Sequence, residues 1–324
     1  MFQTRSGTFK DQVIVKNLDD LPSPYLSGAF DLSRTRSVEV AVARGCNRSC
    51  SYCVINESPL RYFSFERIKL EVEYILSRAP RVKKIMAGVA DMYENGPLAA
   101  KLLPLLRRAA ESRKITVSFY ANVASLHKVE LLKLSDSRWF RIEIGVQSMN
   151  PAALGLCNRG ATVRVIAKHI DLMAQYAPKA HKILGLIRGL PKDTTAGYLT
   201  TLEWALSTGM QLSVNQLRLV QGTEFNIEPE KFGLTVGADY PYFVLSTSSM
   251  SANDMHRLRA ITDRVMFMVK LISPHPALQK HFQALAAGFA RSKKFPRVTL
   301  ALAFASLVGR MEGRLAQAWL YCPV

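Results

Sequence analysis

Strand-like and helix-like segments alternate six times between residues 38 and 225, and few folds accept that pattern. The strand candidates are Val38–Ala43, Val82–Val89, Ile115–Ala121, Phe140–Val146, His181–Arg188 and Leu212–Leu219. Between them run helical patterns at Phe65–Ser77, Pro97–Ala110, Val129–Leu134, Ala161–Tyr176 and Thr194–Ser207. Ile68, Val72, Ile75 and Leu76 recur at helical spacing in the first. Pro97 follows Gly96 as a helix opener, and Asp193-Thr194 offers an N-cap. Repeated strand–helix units imply parallel strands with right-handed crossovers. An open doubly wound sheet and a partial (β/α) barrel both satisfy that pattern.

The alternation stops after Gly222. Residues 223–250 read as loop, Ser251-Ala-Asn-Asp254 as a helix cap, and 252–320 as two or three helices. The expected organisation is a lead-in at 1–37, a core at 38–225 and a mostly helical extension at 226–324. The first fifteen residues lack a long apolar run, and Val298–Val308 is too short to span a bilayer. A soluble, cytoplasmic protein with no membrane partner is expected.

The chemistry concentrates in Gly45-Cys46-Asn-Arg-Ser-Cys50-Ser-Tyr52-Cys53, directly after the first strand. In barrels the C-terminal ends of the strands carry the active site. Short gaps let one loop present three thiolates, and soft thiolates suit iron–sulfur clusters. Three cysteines leave one iron of a [4Fe-4S] cluster open, which S-adenosylmethionine can chelate. A zinc site wants a fourth ligand nearby, and the nearest histidine is His127. Five cysteines in all, three of them clustered, argue against a disulfide framework.

The pattern C-x3-C-x-aromatic-C after a first strand resembles the radical S-adenosylmethionine superfamily. That resemblance favours the partial (β/α)6 TIM-like barrel over the open sheet, with Cys46, Cys50 and Cys53 as cluster ligands. It implies that Tyr52 sets its backbone beside the adenine of S-adenosylmethionine. Glu143-Ile-Gly-Val-Gln147-Ser148 is similar to the "GxQS" strand end of the cobalamin-binding group and the oxygen-independent coproporphyrinogen oxidases. Asn158-Arg159 follow Gln147 at the family's spacing. There the glutamine and the arginine contact S-adenosylmethionine, and an arginine fork fits its carboxylate. Gly189-Leu-Pro-Lys-Asp-Thr194 and Val220-Gln-Gly222-Thr-Glu224 resemble the family's turns after the fifth and sixth strands. The lead-in Leu18–Leu26 and the stretch Pro241–Thr247 are similar to segments flanking such barrels.

The departures matter too. Only 17 residues precede the lead-in, where a cobalamin domain normally stands, and Asp254-Met-His256 lacks the glycine of a corrinoid motif. The expectation is the barrel and tail of the family without its corrinoid domain. Methyl transfer would then need a corrinoid from a separate protein. Tyr120 and Asn122 on the third strand, and Gly185 on the fifth, stand where relatives often carry acidic residues. Asp91 and Asn122 are therefore candidates for ribose or amino-group contacts. Tyr93, Tyr120 and Glu143 are candidates for the substrate site, each against a packing role. Cys157, near Arg159, is a candidate hydrogen-atom donor, against a buried helix cysteine.

The net charge is +18. Residues 251–324 hold 11 Lys/Arg and 3 Asp/Glu. Such a field attracts anions. No basic run interleaved with aromatics marks a single-strand binder. The expected substrate is a small anionic or specialised metabolite rather than nucleic acid, with flavodoxin or ferredoxin as reductant. The expected reaction opens with reductive cleavage of S-adenosylmethionine. Aminocarboxypropyl transfer, corrinoid-dependent methyl transfer and RNA modification are the alternatives, and an iron–sulfur sensor is the non-enzymatic one.

Overall fold

The computed structural model describes residues 14–272, with two short paired strands at 3–4 and 7–8. Six strands form the central sheet. They are β1 (Ser37–Ala41), β2 (Lys84–Gly88), β3 (Thr116–Asn122), β4 (Phe140–Gln147), β5 (His181–Arg188) and β6 (Gln211–Gln216). The longer helices are α1 (Phe65–Arg78), α2 (Gly96–Arg113), α3 (Val129–Leu134), α4 (Pro151–Leu156), α5 (Val163–Tyr176), α6 (Thr195–Ser207) and α7 (Ala252–Ile272), and a single helical turn covers Glu224–Ile227.

The strand order is β6-β5-β4-β3-β2-β1, strictly sequential. β1 pairs in parallel with β2, β2 with β3, and β3 with β4. A doubly wound sheet reverses its order at a switch point. A monotone order with right-handed crossovers keeps every helix on one face, as in a barrel. The α/β fold is thus the partial (β/α)6 type.

The period of two along each strand explains why the sheet forms. Val38 and Val40, Ile85 and Ala87, Val117 and Phe119, and Ile142, Ile144 and Val146 are buried on one face. Burying each large aliphatic or aromatic side chain is worth about 1.5–3 kcal/mol. The alternate positions carry Glu39, Met86, Gly88, Ser118, Tyr120, Arg141 and Glu143. These form the other, inner face.

The helices start where the sequence supplies caps. Ser64, Asn95, Thr162 and Thr194 each accept a hydrogen bond from a first-turn N–H of α1, α2, α5 and α6. Ser251 and Asp254 exchange hydrogen bonds at the start of α7, a capping box. The expected helices beyond residue 272, with Val298–Val308 and Cys322, lie outside the described residues.

Two features depart from the sequence reading. β1 ends at Ala41, and Ala43–Arg44 instead pairs antiparallel with Arg61–Tyr62. The stretch read as loop holds a second hairpin, Leu234–Val236 with Val244–Thr247. The chain divides into two interleaved compact units. One holds the chain up to Val146, with Leu154–Gly185 and Leu219–Pro229. The other holds Gln147–Ala153, Leu186–Arg218 and the chain from Glu230. Among the described residues no helix is long and apolar enough to cross a membrane.

Candidate active site

The cysteine loop begins at Gly45, whose φ is +82°. A Cβ there would lie 2.4 Å from the carbonyl oxygens of both Ser58 and Pro59. Only glycine allows both the backbone conformation and this approach. Cys46 and Cys53 are half-buried, and Cys50 is buried. The Arg48 N–H donates to Cys46 Sγ (3.4 Å) and the Cys53 N–H to the Cys50 carbonyl (3.0 Å). Burial raises the Cys46 and Cys53 thiols above the ordinary range, and the neighbouring Cys50 adds to this. Bound iron would overcome that cost by its own charge. Among the described residues no three His, Cys, Asp or Glu side chains converge to chelate one metal ion. A cubane binds each thiolate to a different iron, so its ligands stand further apart than those of a single ion.

Arg159 meets this loop from a segment a hundred residues later. Its Nη1 lies 3.6 Å from Cys50 Sγ, and its Nη2 donates to the Gly145 carbonyl. The side chain is buried, and its Nε has no hydrogen-bond partner among the described residues. A buried guanidinium with an unused donor calls for an anionic acceptor, because the unmade bond is costly. The carboxylate of S-adenosylmethionine is such an acceptor, and soft thiols suit iron. The residues present therefore fit both groups. Tyr52 lies alongside; burial drives its hydroxyl pKa far up, with the Arg159 charge opposing and Cys50 adding.

Ser51 fastens the loop in place. Its N–H donates to the Cys157 carbonyl (3.3 Å) and its hydroxyl to the Leu156 carbonyl (3.1 Å). It accepts from Asn158 Nδ2 (3.1 Å) on its hydroxyl and from the Phe225 N–H (3.1 Å) on its carbonyl. Sequence reasoning passed over Ser51. No local pattern marks it, because all its partners are distant in the chain.

On the other side, Arg48 ties the loop to the segment after β2. Its Nη2 donates to Glu94 Oε2 (3.0 Å) and Ser125 Oγ (3.1 Å) and lies 3.9 Å from Asp91 Oδ2. Asp91 is buried. It accepts from Ser125 Oγ (2.6 Å) and the Tyr93 N–H (3.1 Å), and burial raises its pKa. Asp91, a candidate cofactor contact, also joins three loops through these bonds. Asn122 caps the short turn after β3 through the Ala124 N–H (2.9 Å). Its carbonyl oxygen is likewise committed within the chain.

Other expectations change as well. Tyr93 is fully buried, donates to Ser135 Oγ (2.9 Å) and stacks edge-on against Phe119. It belongs to the core, because the chain turns it toward the helices after β2. Cys157 is fully buried, so its thiol presents no surface to a substrate. Ser148 is fully buried; its hydroxyl contacts Asp193 Oδ2 (3.4 Å) and accepts from the Asn150 N–H (3.0 Å). Together with the Asn150 Nδ2 donation to Asp193 Oδ1 (3.0 Å), this joins the "GxQS" and "GLPxDT" segments. Ser148 is therefore a structural tie between these segments.

Gln147 holds φ +74°, in the left-handed region that a non-glycine residue rarely adopts. Such backbone cost clusters at functional sites. Gly222 has φ +91° and Gly189 has φ +88°, and a Cβ on Gly189 would meet Met255 Cε at 2.6 Å. Both turns need glycine. Tyr120 is 40% exposed on the inner face, opposite Glu143 in the β3–β4 register. These two candidates do come together.

Comparisons with known proteins bear on the family and the fold. The model of the radical SAM superfamily matches residues 40–205. Ribosomal protein uS12 methylthiotransferase RimO of Syntrophotalea carbinolica is 26% identical over 176 residues, 52% of this chain and 38% of that protein. The tRNA-2-methylthio-N(6)-dimethylallyladenosine synthase of Chlorobium phaeobacteroides is 26% identical over 179 residues, 53% of this chain and 40% of that protein. The chain thus spans about two fifths of the length of these relatives. Among solved structures, apo cobalamin-dependent S-adenosylmethionine radical enzyme OxsB has a TM-score of 0.59 at 15% identity, covering 89% of this chain and 50% of that one. The radical S-adenosylmethionine methyltransferase TsrM from Kitasatospora setae, with cobalamin and [4Fe-4S] cluster bound, has a TM-score of 0.51 at 15% identity, covering 67% of this chain and 45% of that one. At that identity the likeness is one of fold. With the family model matching just over half of its length, the chain belongs to the radical SAM superfamily and is an enzyme whose cofactors are a [4Fe-4S] cluster and S-adenosylmethionine.

Proposed function

We propose that Cys46, Cys50 and Cys53 hold the cluster and that the chain reductively cleaves S-adenosylmethionine to start radical chemistry on a substrate. The observation that carries this reading is Arg159, a buried guanidinium 3.6 Å from Cys50 Sγ with an unpaired Nε. The bound cluster, once reduced, supplies the electron that breaks a carbon–sulfur bond of the sulfonium. Arg159 orients the carboxylate of S-adenosylmethionine against the open corner of the cysteine loop. By the family resemblance Gln147, Gly189 and Gly222 are further candidate cofactor contacts, and the Tyr52 backbone serves the adenine. The Ser51 and Arg48 ties keep the three thiols fixed while an electron arrives from flavodoxin or ferredoxin.

Anaerobic reconstitution with iron and sulfide, followed by S-adenosylmethionine and a reductant, tests this. 5′-Deoxyadenosine is the expected product; methylthioadenosine instead would assign aminocarboxypropyl transfer. Absence of both would overturn the reading.

A second reading for the substrate is RNA or ribosomal protein, favoured by the names of the relatives and by the +18 charge. The matched length is confined to about half of this chain, the shared cofactor core. Salt-sensitive binding of tRNA would support it, and a flat salt response would count against it.

A further inference from the structure

The inner face of the sheet carries two carboxylates as well as the cations Lys84 and Arg141. Glu39 on β1 and Glu143 on β4 both face inward, with Tyr120 on β3 between them. Burial raises the Tyr120 hydroxyl pKa, and the carboxylates of Glu143 and Glu39 raise it further. The Glu39 carboxylate extends over Gly88, where a Cβ would lie 2.5 Å from Oε1. The Glu143 carboxylate leans toward Gly185, 3.9 Å from where a Cβ would stand. Two glycines thus leave floor space for the two carboxylates.

Ser118 adds an independent sign. It sits two residues before Tyr120 on the same face, in the register row of Glu39 and Met86. It is 9% exposed, and its Oγ has no hydrogen-bond partner. A buried hydroxyl without a partner is costly unless something fills the need. Arg141 shares that row as the facing cation, yet no ion pair joins it to Glu39 or Glu143 among the described residues.

We propose that this face, formed by Glu39, Ser118, Tyr120 and Glu143, receives the cationic end of the substrate, a protonated amine or guanidinium. The proposal rests on the radical chemistry assigned to the cysteine loop and names the substrate class for that site. Two carboxylates accept from an ammonium or guanidinium fork, and the phenol and serine oxygens complete its hydrogen bonds. A phosphate or carboxylate would meet repulsion there, so the basic surface charge does not describe this face.

The cofactor also carries an ammonium, and the test separates the two sources. Agmatine, bearing both an amine and a guanidinium, is titrated calorimetrically into the reconstituted full chain, with and without saturating S-adenosylmethionine; citrate serves as the anionic comparison. Saturable agmatine binding in the presence of S-adenosylmethionine is expected. Glu39→Gln and Glu143→Gln should each weaken it at least tenfold, and Tyr120→Phe several-fold. Thermal midpoints and cluster absorbance confirm that each variant is folded and loaded. Binding seen only without S-adenosylmethionine would assign the face to the cofactor's ammonium and overturn the proposal. So would citrate binding as tightly, unchanged affinity in folded variants, or no agmatine binding. If agmatine fails while the wild type still releases 5′-deoxyadenosine, this inference alone falls; if no S-adenosylmethionine is cleaved, the parent reading falls.

Discussion

Arg48 Nη2 donates to Glu94 Oε2 at 3.0 Å, joining the cysteine loop to the segment after β2. The same nitrogen reaches Ser125 at 3.1 Å, and Ser125 holds the buried Asp91. One side chain thus braces three connections around the loop. Both partners are partly exposed, so the ion pair alone is worth about 1 kcal/mol or less. Arg48→Ala should lower the urea midpoint modestly. It should lower iron per chain after reconstitution more clearly, because the loop gains freedom. Iron content equal to wild type would contradict the brace.

Arg159→Lys keeps the charge but loses the planar fork. The cluster should still form, with its absorbance near wild type. Affinity for S-adenosylmethionine should fall about tenfold to a hundredfold, the scale of one or two charge-assisted hydrogen bonds. Equilibrium dialysis with labelled cofactor measures this, and unchanged affinity would remove Arg159 from the cofactor contacts.

Cys157→Ala separates burial from catalysis. The thiol is fully buried, so 5′-deoxyadenosine formation should continue at the wild-type rate. The lost packing should cost about 1 kcal/mol of stability. Loss of final product with cofactor cleavage intact would restore Cys157 as a hydrogen donor.

Glu203 on α6 gives a pH test. It is 7% exposed, its Oε1 has no partner, and burial raises its pKa. The folded state then binds the proton more tightly than the unfolded chain. Stability therefore falls as pH rises through the carboxylate range. Glu203→Gln should raise the thermal midpoint at neutral pH, and the gain should shrink toward pH 4. A gain independent of pH would show that the charge is not the cause.

Much of this was legible in the sequence, and what was not has a physical reason. The six strands stood out because buried strands need unbroken apolar or alternating runs, as in Val38–Ala43 and Phe140–Val146. The cysteine loop stood out because one short segment supplies three soft ligands. Tyr93 was misplaced because it follows β2 in a turn, where strand periodicity no longer says which way a side chain points. Asp91, Asn122 and Ser148 were legible only as cofactor candidates beside matching residues; the bonds each makes to its neighbours are ones that only folding provides. The inward carboxylates Glu39 and Glu143 were hidden by the net charge, which sums over a surface and says nothing about one side of a sheet.

The bonds of Ser51 also set the order of maturation. Its partners at 156–158 and 225 lie more than a hundred residues downstream, so a nascent chain that has only passed the cysteines lacks these ties. Iron delivered during translation would meet an unbraced loop open to oxidation. Insertion is therefore a step for the finished core, performed on a cradle already built, and removing the metal should leave that cradle standing.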